Sequence, residues 1–569
     1  MSARPGGKTS STPVAPPSSE GQAASGVSAT EPEVPRPDPA GGRTAAAARY
    51  LPVGLAAAVM LVLGLWGLAR QSAMGNDEVA TRWAALLPLR GLFHLLNNVD
   101  AVHGLYYLLM HAWMVVGTSP AVMRIPSVIS MVVAVALTVI LGRRLTGSGW
   151  AGLFAGLIMA LTPTITYYAQ TARSYALVVA CVLGATLVLL HALAAEAAGA
   201  PGSRVVRWWL GYGALMLLVG YLNELALLVL TAHLVTVLLA RYGRAALRHW
   251  AVAGITAAVL VGPLAVVSAR EDKAVNWIPR PGPGAIRVLF HDYFGATTGI
   301  AVLLFLCAVA ALLPPRASWR GSSGSGSGSA SGPARFAGAW WTQSGVSLPS
   351  VAGPLVVLPA FLLILESVIA RPLYVDRYVL YGEAAAALLA GSGLYRIGRW
   401  LTSTSLGNSA ARRRALIWVP GIVVCAAALV LQIAPQQRVR TPGGRMFNFG
   451  APSQYVAAHA RPGDGILFFG PFFRKARLGY PADYRDVRDF AMARTPLQAG
   501  TFQGTDQPPN AVAPLILGYH GRIWVLGNAP STGLSAPALA QESNQLMNSF
   551  TLVTKLHWKG VTLTLWVRR

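Results

Sequence analysis

Apolar runs of about eighteen residues or more recur along this 569-residue chain. Each is long enough to cross roughly 30 Å of hydrocarbon as a helix. The runs fall near 50–69, 123–141, 149–164, 176–195, 208–222, 224–240, 251–268, 297–313, 350–370, 378–395 and 416–434. Eleven such segments in one chain exclude an ordinary soluble fold, because core helices do not run so far without polar breaks. Only 12% of the residues are charged, about half the share of a soluble domain. The expected fold is an α-helical polytopic membrane protein of about eleven transmembrane helices.

The formal charge of +25 suggests a nucleic-acid ligand until its distribution is followed. The basic residues sit in short loops between apolar runs rather than on one face of a domain, so no nucleic-acid partner is expected. One set of loops carries Arg143 and Arg144, then Arg204 and Arg207, then Arg241, Arg244 and Arg248, then Arg316, Arg320 and Arg335, then Arg396, Arg399 and Arg412–Arg414. By the positive-inside rule this set is cytoplasmic. The alternate loops mix both signs, with Asp77, Glu78, Asp100, Glu271, Asp272, Asp376 and Arg377, and face outward. An odd number of crossings puts the N-terminus inside and the C-terminus outside. Cys181, Cys307 and Cys425 all lie inside apolar runs, which argues against disulfides and thiolate metal sites.

Residues 1–43, rich in Pro, Ala, Ser and Gly, read as a disordered cytoplasmic tail, with no cleavable signal peptide; Leu51–Leu68 serves as a signal anchor. Residues 44–435 form the transmembrane domain, with long outer loops at 70–122 and 269–296 and a Gly/Ser-rich cytoplasmic linker at 317–336. Residues 437–569 have the composition of a small extracytoplasmic α/β domain. Ser453–Ala460 is predicted helical, Gly465–Phe469 and Arg522–Leu526 are predicted strands, and Thr551–Leu556 with Val561–Val567 forms a hairpin across Lys559-Gly560. This domain is expected to act as a lid or an acceptor-docking module.

Candidate chemistry concentrates in the outer loops. The first is too long for a simple connection and holds two amphipathic patterns, around Arg82–Leu96 and Val102–Val116, suited to the membrane surface. Just after the first apolar run stand Gly75-Asn76-Asp77-Glu78. On the residues alone, this acid pair is either solvated loop charge or a functional site. Asp100, His103, Tyr107 and His111 follow, the last three spaced by four to share a helical face; on the residues alone, aromatic anchoring at the interface is the better explanation. Gln170, Arg173 and Ser174 are spaced as a polar helical face ahead of Tyr175. Arg371-Pro-Leu-Tyr-Val-Asp376-Arg377-Tyr378 makes a fourth cluster, and Lys273, Arg280, Arg287, His291 and Asp292 occupy the loop beyond residue 269. One or two acids among several cations suit an anionic lipid phosphate and a hydroxyl acceptor. Glu224 and Glu366, the few acids near or within the runs, would serve a transporter or flippase of a lipid-linked or small anionic substrate, which is the alternative reading.

In order along the chain stand Asp-Glu after the first run, Asp100-x-x-His-x-Leu-Tyr-Tyr-Leu-Leu, Arg124-Ile-Pro-Ser, Tyr-Ala-Gln-x-x-Arg-Ser-Tyr and Asp-Arg-Tyr. This series resembles the GT-C glycosyltransferases, and within them the bacterial branch related to protein O-mannosyltransferases (glycosyltransferase family 39-like) and aminoarabinose transferases. The resemblance covers residues 50–395 and, more loosely, the tail domain. It departs from the family at Gly104, where many relatives carry Pro-Pro or similar after the His.

The resemblance implies a transferase of the bacterial cell membrane that moves a sugar, mannose by family prevalence, from a polyprenyl-phosphate donor to a hydroxyl acceptor on a glycolipid, glycan or protein. Transfer is at the outer face with inversion. It implies Asp77 as the catalytic base, with Glu78 as a second carboxylate supporting it or meeting the acceptor. A lipid phosphate leaves readily, so one base suffices where a glycosidase needs an acid as well. Arg377 and Arg173 are the leading donor-phosphate ligands, since a planar guanidinium can hold a phosphate bidentately; Lys273, Arg280 and His291 follow. Asp100, His103, Tyr107, Gln170, Tyr175, Asp376 and Tyr378 are expected to line the substrate pocket. No cofactor is required; some GT-C relatives use a divalent metal, but no metal ligand set is recognisable.

Overall fold

The computed structural model describes residues 39–70, 73–271, 277–313, 345–404, 410–527 and 537–569. Most of the expected N-terminal tail, the linker 317–336 and Lys273 lie outside the described residues. A helix or helix pair coincides with each of the eleven apolar runs: α1 (Pro39–Leu65), α5 (Pro120–Thr146), α6 and α7 (Gly149–Leu161, Pro163–Ala169), α8 (Tyr175–Ala197), α9 (Gly202–Leu222), α10 (Val229–Ala240), α11 (Arg244–Ala269), α12 and α13 (Pro283–Phe294, Thr298–Leu312), α14 (Leu348–Ile369), α15 (Tyr381–Thr404) and α16 (Ala410–Arg438). By length and composition six of these helices can cross a membrane, and eight if each bent pair counts as one span. The chain is therefore a multi-pass membrane protein. The short apolar helix Tyr50–Leu65 and the segment Glu224–Ala240 fall below that length, so the spans meeting it are fewer than the eleven expected.

The bend between α6 and α7 is 68°. Its cause is local: Pro163 lacks an amide proton and forces Thr162 into an extended conformation. A broken helix inside a membrane must satisfy its freed backbone groups from neighbours. Here the Leu161 carbonyl accepts from the Gln436 side chain at 2.9 Å, and the Gln432 side-chain oxygen accepts from the Ala296 amide at 3.0 Å, inside the second bend. Two glutamines of α16 thus mend both breaks. α15 runs through the middle, packed on α6, α13, α14 and α16. Its small residues permit the close approach: a Cβ on Gly393 would lie 1.7 Å from the Cys307 carbonyl oxygen, and one on Gly391 2.3 Å from the Ala155 nitrogen.

Between α1 and α5 the first long loop folds into α2 (Asn76–Leu86), α3 (Leu89–Leu96), a 3-10 turn over Ala101–His103 and α4 (Gly104–Trp113). The amphipathic pattern expected over Arg82–Leu96 is split by Pro88, which stands as the extended N-cap of α3.

Beyond α16 the chain forms a mixed sheet of order β2-β1-β5-β7-β6. Its strands are β1 (Asp464–Phe469), β2 (Val487–Asp489), β5 (Arg522–Gly527), β6 (Phe550–Trp558) and β7 (Val561–Arg568), with β3 (Met492–Arg494) and β4 (Thr505–Asp506) as a separate pair. β1 is parallel to β2 and β5; β7 is antiparallel to β5 and β6. The β6–β7 hairpin pairs Trp558 with Val561 across Lys559-Gly560, with Gly560 at φ +73°, a conformation glycine adopts without strain. Alternation along the strands divides the sheet's two faces. Leu467, Phe469, Ile523 and Val525 pack with Val512, Ile516 and Leu546, whereas Ile466, Phe468, Trp524 and Leu526 join the large core shared with the helical bundle. That second face carries α17 (Gly450–His459), and α18 (Lys475–Gly479) packs on α17 and lies against α2. Residues Arg49–Arg569 accordingly make one compact unit.

Candidate active site

The end of α1 is fastened before the chain reaches the acid pair. The Gln170 side-chain amide donates to the Gly64 and Trp66 carbonyls, both at 2.9 Å. Arg440 donates to the Leu63 carbonyl at 2.6 Å and stacks on Trp66 with 4.3 Å to the ring centroid. Gln170, expected in the substrate pocket, is thus a tie between helices. The reason is that residues 170–174 are not helical but form the break between α7 and α8, so Gln170, Arg173 and Ser174 share no helical face and point to different partners.

Asp77 and Glu78 open α2, where carboxylates complement the free amide protons of a helix N-terminus. Their environments differ sharply. Glu78 is 1% exposed. Arg124, itself fully buried, donates to its two oxygens at 2.7 and 2.8 Å; the Ala172 amide adds a bond at 3.1 Å and the Gly75 amide one at 3.2 Å. Arg445 stands 4.0 Å away. Burial alone would raise the Glu78 carboxyl, but Arg124 and Arg445 outweigh it and hold the group down at about 2. Of the two roles expected for Glu78, supporting Asp77 or meeting the acceptor, the geometry suits the first: its oxygens are committed, and it keys α2 to α5 and to the break before α8.

Asp77 is half-buried. Among the described residues its carboxylate has one hydrogen bond, from the Asn76 side chain at 3.3 Å, and no ion pair. Burial would push it up, yet Arg377, Arg173 and Lys475 pull it below its ordinary value and keep it ionised. His103 is buried, and burial together with Arg173 holds it near 3, so it is neutral at pH 7. Its Nδ1 has no hydrogen-bond partner among the described residues.

The cations around Asp77 are built in different ways. Arg173 donates to the Tyr107 hydroxyl at 2.6 Å and to Asp100 at 3.2 Å, and Tyr107 closes the triangle by donating to Asp100 at 2.6 Å. Asp100 holds a left-handed φ of +62°, and its amide and that of Ala101 donate to the Glu271 carboxylate at 2.7 and 3.0 Å. His111, on the stripe predicted to include His103 and Tyr107, instead meets the Ala85 carbonyl at 2.8 Å. Arg377 lies over the rings of Trp277, Tyr175 and Tyr378 at 5.3, 5.5 and 5.5 Å. Among the described residues no carboxylate pairs with it and its Nε has no partner. Asp376 does not pair with its neighbour; it accepts from the Tyr168 hydroxyl at 2.9 Å. The structure therefore brings Asp77, Asp100, His103, Tyr107, Arg173, Tyr175, Arg377 and Tyr378 into one neighbourhood. It leaves Arg280 exposed and turns His291 onto the Gly295 carbonyl at 3.2 Å, so neither joins the cations around Asp77.

Two groups unforeseen from the sequence come from beyond α16. Lys475 is 8% exposed, and its ammonium donates to Asn76 at 2.8 Å between the rings of Phe472 and Phe502. Arg445 donates to the Thr171 hydroxyl at 2.6 Å and lies over Tyr167 at 5.0 Å. Neither carries a local signal, since each reaches a site hundreds of residues earlier. Arg124 did carry one: a guanidinium at the head of an apolar run calls for a buried partner. Among the described residues no three His, Cys, Asp or Glu side chains converge as metal ligands would.

No protein-family model matches the chain, and no curated protein matches it either. Solved structures do. The aminoarabinose transferase ArnT from Cupriavidus metallidurans, bound to undecaprenyl phosphate, superposes with a TM-score of 0.53 at 14% identity, covering 90% of this chain and 97% of that one. The archaeal oligosaccharyltransferase AglB from Archaeoglobus fulgidus, in complex with an inhibitory peptide and a dolichol-phosphate, is similar more loosely, with a TM-score of 0.43 at 11% identity over 84% of this chain and 69% of that one. The likeness to ArnT extends from the helical bundle into the C-terminal sheet domain, and the chain has the GT-C fold.

Proposed function

We propose that the protein is a membrane glycosyltransferase that moves a sugar from a polyprenyl-phosphate donor to a hydroxyl acceptor, with Asp77 as general base. The observation that carries this reading is the split between the two adjacent acids. Glu78 is locked by Arg124, whereas Asp77 keeps an ionised, sparsely bonded carboxylate facing Arg173, Arg377 and Lys475. A fold shared with a transferase solved with undecaprenyl phosphate supports the donor class.

The chemistry follows from charge. The acceptor hydroxyl attacks the anomeric carbon as the carbon–oxygen bond to the lipid phosphate breaks. Asp77 takes the hydroxyl proton, and the phosphate leaves as an anion steadied by Arg377 and Arg173. An in-line displacement of this kind inverts the anomeric centre. Before donor binds, the cations hold Asp77 a weak base. A bound phosphate engages Arg377 and Arg173 and brings its own negative charge, both of which raise the basicity of Asp77 in the ternary complex. Mannose is the sugar we assign first. The site would face the exterior of a bacterial cell membrane, with the N-terminus in the cytoplasm.

The transporter reading loses its best residue, since Glu366 is exposed near the end of α14. The test is consumption of radiolabelled donor by purified protein, using undecaprenyl phosphate carrying mannose, arabinose or aminoarabinose with an envelope-lipid extract as acceptor. Release of undecaprenyl phosphate from at least one donor is expected; intact donor throughout, with transbilayer movement of any of them, overturns the proposal.

A further inference from the structure

Lys475 stands apart from the other cations because it belongs to the C-terminal domain. It is carried on α18, a five-residue helix pressed against α2. The seat is tight: a Cβ on Gly479 would come within 2.8 Å of the Val79 side chain. The Tyr480 hydroxyl accepts from the Met74 amide at 2.8 Å, and Arg82 donates to the Gly479 carbonyl at 3.4 Å. These contacts bracket the first turn of α2, where Asp77 lies.

Within that seat the Lys475 ammonium donates to the Asn76 side-chain oxygen at 2.8 Å, and the Asn76 side-chain nitrogen donates to Asp77 at 3.3 Å. An amide has distinct ends, so an ammonium on its oxygen forces its NH2 toward Asp77. Burying a lysine is costly unless the charge is compensated. Asn76, two aromatic rings and the nearby carboxylates Asp77 and Asp100 provide that compensation.

We infer that Lys475 is a positioning residue: through Asn76 it fixes the orientation of the Asp77 carboxylate, so that the catalytic arrangement is complete only with the C-terminal domain docked on α2. This rests on the assignment of Asp77 as base. Around Asp77, the charged and titratable groups are Arg377 and Tyr378 from the turn before α15, Arg173 from the break before α8, Tyr175 at its start, Tyr167 from α7, His103 ahead of α4, and Lys475 itself. Of these, Lys475 alone reaches the Asp77 carboxylate through a hydrogen-bonded intermediary among the described residues; Arg173 reaches only the Asp77 backbone carbonyl, through the Thr81 hydroxyl.

The test is a double-mutant cycle on the full chain, with Lys475→Met, Asn76→Leu and the pair. It is read as kcat and donor KM for release of undecaprenyl phosphate from undecaprenyl-phosphate mannose. Each single variant is expected to lower kcat by about 10- to 100-fold, the scale of a misplaced catalytic group, with KM near wild type. The double variant should be no worse than either single, because both cut one chain. Lys475→Arg should restore part of the rate. The shift in melting temperature caused by undecaprenyl phosphate alone should be unchanged, which separates positioning from phosphate binding. Wild-type kcat in Asn76→Leu, or additive losses in the pair, overturn the inference; Asn76→Leu decides the matter if Lys475→Met does not fold. Asp77→Asn is run alongside: loss of turnover there with normal Asn76→Leu sinks this inference alone, whereas normal Asp77→Asn sinks the assignment beneath it.

Discussion

Replacing Glu78 with Ala should damage the fold rather than the chemistry, and the structure sets the size of the effect. Glu78 is 1% exposed and Arg124 is fully buried, with bonds of 2.7 and 2.8 Å between them. Removing the carboxylate strands Arg124 and leaves Arg445 without its acid neighbour. Breaking a buried pair from one side costs about 3–5 kcal/mol. The depression of Glu78 from its ordinary 4.5 to about 2 gives an independent figure of about 3 kcal/mol. For a carboxylate held low in the native state, that stability is full above pH 4.5 and disappears as the pH falls toward 2. Thermal unfolding of the detergent-solubilised protein reads both effects. Glu78→Ala should melt several degrees lower at pH 7 and lose the share of the acid dependence that Glu78 supplies, while turnover falls only with the folded fraction. A wild-type melting temperature refutes the structural role, and an intact fold with turnover abolished returns Glu78 to the chemistry.

Other consequences can be measured directly. Arg377→Ala removes a guanidinium that has no carboxylate partner among the described residues; a lost charge-assisted bond of about 1.5–3 kcal/mol should raise the donor KM roughly 10- to 100-fold, and an unchanged KM in steady-state assays rejects it as the phosphate ligand. His103, held near 3 by burial and Arg173, stays neutral across pH 5–8, so the pH–rate profile of His103→Asn should keep the wild-type shape. Because its folded value lies below the ordinary 6.5, its contribution to stability is full above 6.5 and falls as pH drops toward 3; a melting curve flat over that range contradicts the assignment.

The helical bundle was legible in the sequence because hydrocarbon thickness imposes a length that few other folds satisfy. Backbone chemistry also requires breaks at Pro163 and Pro88, yet the apolar run 149–164 and the amphipathic pattern over Arg82–Leu96 pass straight through them, because side-chain periodicity does not register a missing amide proton. The limit appears at the site. Asp77 and Glu78 are adjacent and chemically alike, and nothing local tells which is bound by Arg124 and which faces Arg173 and Arg377. The polar face predicted over Gln170–Ser174 failed because periodicity assumes a helix, and the chain breaks there. Lys475 and Arg445 could not be foreseen: their partners lie 399 and 274 residues away, and only the docking of the C-terminal domain brings them in.

Everything functional depends on Asp77 as the group that takes the acceptor proton. Single-turnover kinetics of Asp77→Asn, alongside its melting temperature, test this most directly. The chemical step should slow by about 10²–10⁴-fold with melting and donor binding unchanged. A chemical step at the wild-type rate in a folded, donor-saturated Asp77→Asn protein contradicts it.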